Sequence, residues 1–254
     1  MADPQAGGPQ AVQSGVALIV GAGAATGSAV ARRFAREGFT ICATRRDRAD
    51  GLKDLAADIE SLGGKIHTFA SDARKEEAVA ELVETIEGTV GPIEVCVHNI
   101  GANVRFDIGE TTSRVYYKVW EMAAFSAFLV GREVSQRMIP RGRGTIVFTG
   151  ATASVRGAAG FAAFSGAMQA KRALAQAMAR ELGPKGIHVA HTVIDGPIDT
   201  PWTRELMPNL IAERDWDDNL LQPDHIAEMY WQIHCQKRTA WTFEMDMRPW
   251  AEPW

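Results

Sequence analysis

Three glycines, Gly21, Gly23 and Gly27, stand in the stretch VGAGAATGSAVARRF near the start of the chain. An apolar run leads in and a helical pattern leads out. Glycine allows a tight turn and lets backbone approach a ligand with no Cβ between them. The helix that follows offers unpaired N–H groups and the positive end of its dipole. This combination, with Ala25 and Thr26 in the same loop, suits a pyrophosphate. A plain strand-to-helix turn would use the same glycines, but a position between the first strand and the first helix is the context that a dinucleotide loop requires.

More chemistry stands at the ends of the next apolar runs. The second ends in CATRR, where an Asp or Glu would bind both ribose hydroxyls of NAD and repel a 2′-phosphate. Thr44, Arg45 and Arg46 stand there instead, and a guanidinium fork suits phosphate oxygens. Two solvated arginines at a helix start are the plain alternative. The third run leads to Ser71-Asp72, where a carboxylate can accept from an adenine amino group or cap a helix. The fourth ends in HNIGAN, in which Gly101 permits close approach to a bound ribose and Asn99 can tie neighbouring strands. These residues predict an NADP(H) site.

Other polar groups have bland readings beside chemical ones. Thr152 and Ser154 follow a strand end, Ser165 lies on a helix, His98 ends a strand, Asn103 lies in a loop, and Tyr116 lies seven residues before Ala123. Caps, strand-end hydrogen bonds and half-buried aromatics account for each. No serine–histidine–acid spacing and no metal-ligand cluster is seen, so no metal is expected.

The elements that must position these groups follow from the pattern. A chain of 254 residues with 46% hydrophobic and 23% charged residues can bury one sizeable core, and its net charge of -4 with no basic stripe argues against a nucleic-acid partner. No run approaches the roughly 18 apolar residues of a membrane span, and the N-terminus lacks the basic and apolar regions of a signal peptide. A cytoplasmic protein is expected. Cys42, Cys96 and Cys235 read as buried free thiols of a reducing compartment. Strands are expected at Val16 to Gly21, Phe39 to Thr44, Lys65 to Ala70, Ile93 to His98, Gly144 to Gly150, Ile187 to Ile194 and Trp241 to Met247. Several are continuous apolar strings, as strands covered on both faces are. Helical patterns lie between them, including one long helix capped by Thr111, Thr112 or Ser113 and running to Pro140. The expected fold is therefore α/β, a single-domain doubly wound parallel sheet (a Rossmann fold) of about seven strands with helices on both faces. Residues 1–15 read as a disordered lead-in, residues 16–254 as the domain, and residues 201–223 as a lid.

In this order, the residues resemble the short-chain dehydrogenase/reductase family from about Val16 to the C-terminus. Gly21, Ala25 and Gly27 fall on its three-glycine loop, with Ala25 for the middle glycine. Asp72 falls on the adenine-binding Asp, and Asn99 and Gly101 survive from an Asn-Asn-Ala-Gly motif. DGPIDTP falls on the Pro-Gly motif, with Asp195 for Pro before Gly196. The resemblance implies that backbone at Ile198 and the Thr200 hydroxyl hold the nicotinamide carboxamide. It also implies that the long helix and the helix from about Phe161 pair across a two-fold axis, and that the last strand and tail meet another subunit, giving a homodimer or homotetramer.

The same resemblance fails at the catalytic residues. The family's Tyr falls on Phe164, its Lys on Met168, its Ser on Ala151 and its Asn on Ala123. None of these can give or take a proton, and general acid catalysis is worth ~10²–10⁴-fold. Phe161, Phe164, Met168, Ala151 and, from the lid, Trp202 and Met207 would form a pocket for a small, hydrophobic ligand. The expectation is an NADP(H)-binding oxidoreductase of this family with an apolar, non-standard active site. The alternatives are a catalytically silent dinucleotide-binding protein, acting as sensor or partner subunit, and a non-redox lyase or isomerase on the same scaffold.

Overall fold

In a computed structural model, residues 15–23, 25–47, 49–206 and 219–252 are described. Most of the expected lead-in and the middle of the expected lid, with Met207, lie outside the described residues.

Seven parallel strands form one sheet in the order β3-β2-β1-β4-β5-β6-β7. They are β1 (Val16–Val20), β2 (Thr40–Arg45), β3 (Lys65–Ala70), β4 (Ile93–His98), β5 (Gly144–Thr149), β6 (Ile187–Ile194) and β7 (Glu244–Met247). β1, β4 and β6 are buried at every residue, as their continuous apolar strings require. β3, at one edge, alternates instead.

Side chains leave each strand alternately to two faces. Ala17 and Ile19 enter a core shared with α1 (Thr26–Arg36), α2 (Lys53–Ser61) and α8 (Pro223–Cys235). Val16, Leu18 and Val20 enter the opposite core, shared with α3 (Glu76–Thr89), α5 (Ser126–Met138) and α6 (Ala162–Leu182). This is the doubly wound arrangement that the alternation predicts.

Three expectations need correction. The long helix is not one α-helix: α4 (Ser113–Trp120), N-capped by Thr112 Oγ1 accepting from the Val115 N–H at 3.2 Å, is followed by a π-helical turn over Glu121–Phe125 before α5 begins. That turn shifts the register of everything after it and carries Ala123. β7 starts three residues later than expected, because Thr242 is held by Gln236 instead, through its N–H at 2.7 Å and its hydroxyl at 2.9 Å. Cys42 and Cys96 are buried, with thiol pKa values pushed up to about 12 by burial, but Cys235 is exposed at the end of α8.

Candidate active site

β1 and β4 are neighbours, yet the chain leaves them toward opposite edges of the sheet. A crevice opens at such a switch point, beyond the carboxyl ends of the strands. Here it is a cavity of about 300 Å³ lined by Gly21, Gly23, Arg45, Arg46, Asp72, Asn99 and Gly101, with Arg74 and Met122 beside them.

The glycine loop is built as the sequence demands. Gly21 has φ +88°, and a Cβ there would lie 3.0 Å from the Asn99 carbonyl oxygen. A Cβ on Gly27 would lie 2.5 Å from the Gly21 carbonyl oxygen, so only glycine lets α1 start this close to β1. Gly23 faces open space, with nothing within 4 Å of a Cβ. The Asn99 amide donates to the Gly21 carbonyl at 3.1 Å, and the Asn99 N–H donates to Val20 at 2.8 Å, which stitches β4 to the loop. Ala25 precedes α1, and Thr26 is buried in its first turn.

At the other end of the cleft stand three guanidinium groups. Arg45 donates to the Gly51 carbonyl at 3.2 Å, and exposed Arg46 pairs with Asp47 at 2.8 Å. Arg74 is the residue that sequence reasoning passed over. It grips Asp72 with Nε at 2.9 Å and Nη2 at 2.7 Å, while its backbone N–H bonds the same carboxylate at 3.1 Å. The Arg74 guanidinium holds the Asp72 carboxyl below the usual carboxylate range. Asp72 thus serves neither as the N-cap of α3, which is Lys75, nor as a free acceptor. Its position two residues before an arginine was the available signal.

On the far side, Ile198 pairs with Leu221 in a parallel bridge. Both hydrogen bonds of that bridge come from its neighbours, Asp199 N–H to Leu221 at 2.9 Å and Leu221 N–H to Pro197 at 3.0 Å. Neither the N–H nor the C=O of Ile198 is used there, which fits a backbone clasp for an amide. Gly196, just before, has φ +152°. The Thr200 hydroxyl accepts from the Thr203 N–H at 2.9 Å and caps α7 (Pro201–Leu206).

The residues expected at the family's catalytic positions come together in space. Ala123, Phe164 and Met168 are buried in one apolar cluster with Ala102, Val119 and Ala167, and Ala151 and Phe161 pack against it. The Phe164 ring lies 3.9 Å from where a Cβ on Gly101 would stand, so the cluster abuts the cofactor cleft. Phe161 also lies under the Arg105 guanidinium, 5.9 Å from the ring centre. Trp202, in α7, is about half exposed and lies outside this cluster.

Of the remaining polar candidates, Ser165 is buried with its hydroxyl unpartnered and Asn103 is exposed, while others are occupied. Thr152 donates to Asp195 at 2.6 Å, and Asp195 is also paired with Arg248 at 3.0 Å and Arg156 at 3.4 Å. The Ser154 hydroxyl accepts from the Ala151 N–H at 3.1 Å. His98 is fully buried against Ser126 at 2.9 Å, and burial, then the charge of Lys171, holds its pKa well below the usual value. Tyr116 is half exposed, its hydroxyl 2.7 Å from where a Cβ on Gly166 would lie. The sequence reading missed Lys171. It is fully buried one turn beyond Met168, and its ammonium donates to the Ile100 carbonyl at 2.6 Å and the Thr149 carbonyl at 3.1 Å. A lysine on an otherwise apolar helix face, at the spacing of Phe164 and Met168, was the signal. Among the described residues, no group of three His, Cys, Asp or Glu is placed to hold a metal ion, and no helix is long and apolar enough to cross a membrane.

The chain is 28% identical over 202 residues to gluconate 5-dehydrogenase of Gluconobacter oxydans, an alignment that covers 80% of this chain and 77% of that one. Its fold matches a crystal structure of a short-chain dehydrogenase from Rhodopseudomonas palustris with a TM-score of 0.79 and 44% identity, covering 92% of this chain and 98% of that one. An actinorhodin polyketide ketoreductase crystallised with NADPH matches with a TM-score of 0.85 and 24% identity over 93% of this chain and 96% of its own, a likeness of fold. The model of the short chain dehydrogenase family matches residues 15–210, so the chain belongs to that family.

Proposed function

We propose that this protein is an NADP(H)-binding member of the family whose active site is apolar and holds none of the family's proton-transfer groups. The observation that carries the reading is a juxtaposition. A glycine-lined, arginine-flanked cleft lies directly against a cluster in which Ala123, Ala151, Phe164 and Met168 stand together. The glycine loop and the start of α1 would hold the pyrophosphate. Arg45 and Arg46 would take a 2′-phosphate, with Arg74 beside them. Asp72, through the lone pairs that Arg74 leaves, would meet the adenine, and Gly101 would lie against the ribose. Ile198 backbone and Thr200 would clasp the carboxamide. When bound, the cofactor supplies or accepts a hydride. The chain's own residues position it and exclude water, and Phe161, Phe164 and Met168 offer a hydrophobic wall to a small ligand.

A second reading, binding without turnover, is favoured by the same four side chains, since an alanine, a phenylalanine and a methionine hold no transferable proton. Placement in the cytoplasm as one domain over residues 16–254 belongs to the proposal, as does a homodimer or homotetramer. The assembly is supported by Tyr117, Trp120 and Phe128, which are exposed on the α4–α5 face, with Phe125 stacked between Trp120 and Phe128. Light scattering should give a multiple of the chain mass. Calorimetric titration tests the cofactor: NADPH should bind more tightly than NADH, and equal affinities would remove the role given to the arginines.

A further inference from the structure

Lys171 is a fully buried cation, and its neighbours leave its charge unbalanced. The helix face that carries Phe164 and Met168 carries it too, and its stem, leaning toward the start of α6, brings the ammonium to the carboxyl ends of β4 and β5. There it donates to two carbonyl oxygens, those of Ile100 and Thr149. Ile100 lies between Asn99 and Gly101, and all three line the cofactor cleft. The ammonium is therefore separated from the cleft by a single residue, Ile100.

The ionisable groups that face this ammonium are few. β4 contributes His98 and β6 contributes His191, both buried and both with pKa values lowered, first by burial and in part by Lys171 itself. His191 is bonded to Glu244 of β7 at 3.0 Å, and that carboxylate is gripped by Arg172 of α6 at 2.6 and 2.7 Å. That acid is thus already matched by its own arginine. Asp195, beyond β6, is matched by Arg248 and Arg156. Burial lowers the Lys171 pKa to about 7. Its charge is present in mildly acidic solution and absent in alkaline solution, while both histidines stay neutral throughout.

We propose that Lys171 makes the cleft selective for the redox state of its cofactor, favouring the reduced dinucleotide over the oxidised one. An oxidised nicotinamide ring carries a positive charge and a reduced ring carries none. A buried ammonium one residue from the cleft disfavours the first relative to the second. The proposal rests on the dinucleotide reading above. Lys171 is a positioning and selectivity residue here, acting through charge and through the Ile100 carbonyl, with no proton transferred.

The test is calorimetric binding of NADPH and of NADP⁺ to the full chain at about pH 6 and about pH 9. The ratio of the two dissociation constants cancels the titration of the 2′-phosphate, which both ligands share. In the unmodified protein, NADPH should be favoured about tenfold more at the lower pH than at the higher, the scale of one charge acting across a partly shielded interior. Lys171→Met should give a ratio that does not change with pH, and Lys171→Arg, charged throughout, should restore the preference at both. A flat ratio in the unmodified protein overturns the inference, whether or not either variant folds. Failure to bind either dinucleotide overturns the reading on which it rests.

Discussion

At the ends of β1, β2 and β3 the cleft presents glycine backbone and three guanidinium groups. A few ångströms away, where β4 and β5 meet α6, it presents alanine, phenylalanine and methionine. The first region keeps room for a ligand: Gly23 faces empty space, and Arg45 and Arg46 are exposed although each has a partner. The second turns several of its polar groups inward, Thr152 to Asp195, Ser154 to backbone, His98 to Ser126 and Lys171 to two carbonyls. Binding and chemistry are separable demands on one scaffold. Binding needs glycines at fixed dihedral angles, which no other residue can imitate. A proton-transfer site can be emptied by replacements close in volume, Phe for Tyr and Met for Lys, that keep the core packed.

Several substitutions sharpen or break that contrast. The largest effect is expected on the binding side. Gly27→Val would drive a side chain into the Gly21 carbonyl, where even a Cβ lies at 2.5 Å. NADPH affinity should fall by more than about 100-fold, with a lower melting temperature, as calorimetry and a thermal scan would record. An unchanged affinity would mean that the loop is only a turn.

The paired change Arg45→Glu, Arg46→Glu comes next. It should weaken NADPH by about 10- to 100-fold, the scale of one or two charge-assisted bonds to phosphate, and leave NADH nearly unchanged. A parallel loss for both dinucleotides would place the arginines outside phosphate recognition.

Acid should act on two histidines, His191 of β6 and His234 of α8, which bonds Thr145 at 2.9 Å. Burial lowers the pKa of His191 and of His234 to about 4. Unfolded chains take up these protons near pH 6.5, so the unfolded state binds more protons in between. The histidines' contribution is full above about pH 6.5 and is lost as pH falls toward about 4, by about 2–4 kcal/mol per histidine. Urea melts at stepped pH check this, and His191→Gln should flatten part of the slope.

The smallest effect is expected from Phe164→Tyr alone. A lone phenol at position 164 has no lysine at 168 to lower its pKa, so ketone reduction should change by less than about threefold. A large gain from this one change, measured as NADPH oxidation, would show that another group already does the lysine's work, with Lys171 the first suspect.

Much of this was legible in the sequence because its signals are local. β1, β4 and β6 are buried on both faces, so they read as unbroken apolar strings. The glycine loop is legible because backbone angles dictate the residue. What was hidden depends on contacts distant in the chain. The π turn at Glu121–Phe125 has no residue signature of its own and follows from packing. Asp195 looked like a missing proline, yet it is the centre of a network joining Thr152, Arg156 and Arg248. Lys171 went unread in the sequence, and only the fold shows that its stem runs inward to the ends of β4 and β5.

The central claim is that the cleft binds NADPH but lacks the means to move a proton to an ordinary ketone. It is tested most directly by steady-state NADPH oxidation with a panel of small and bulky ketones. The unmodified protein is compared with the four-fold change Ala123→Asn, Ala151→Ser, Phe164→Tyr, Met168→Lys. The account predicts turnover far below the ordinary range of roughly 1–10³ per second for the unmodified chain. It also predicts a gain in the four-fold variant of at least ~10², well beyond the product of the single changes. Ordinary turnover by the unmodified chain would contradict it and send the search for the proton to Tyr116, Thr152 and Ser154.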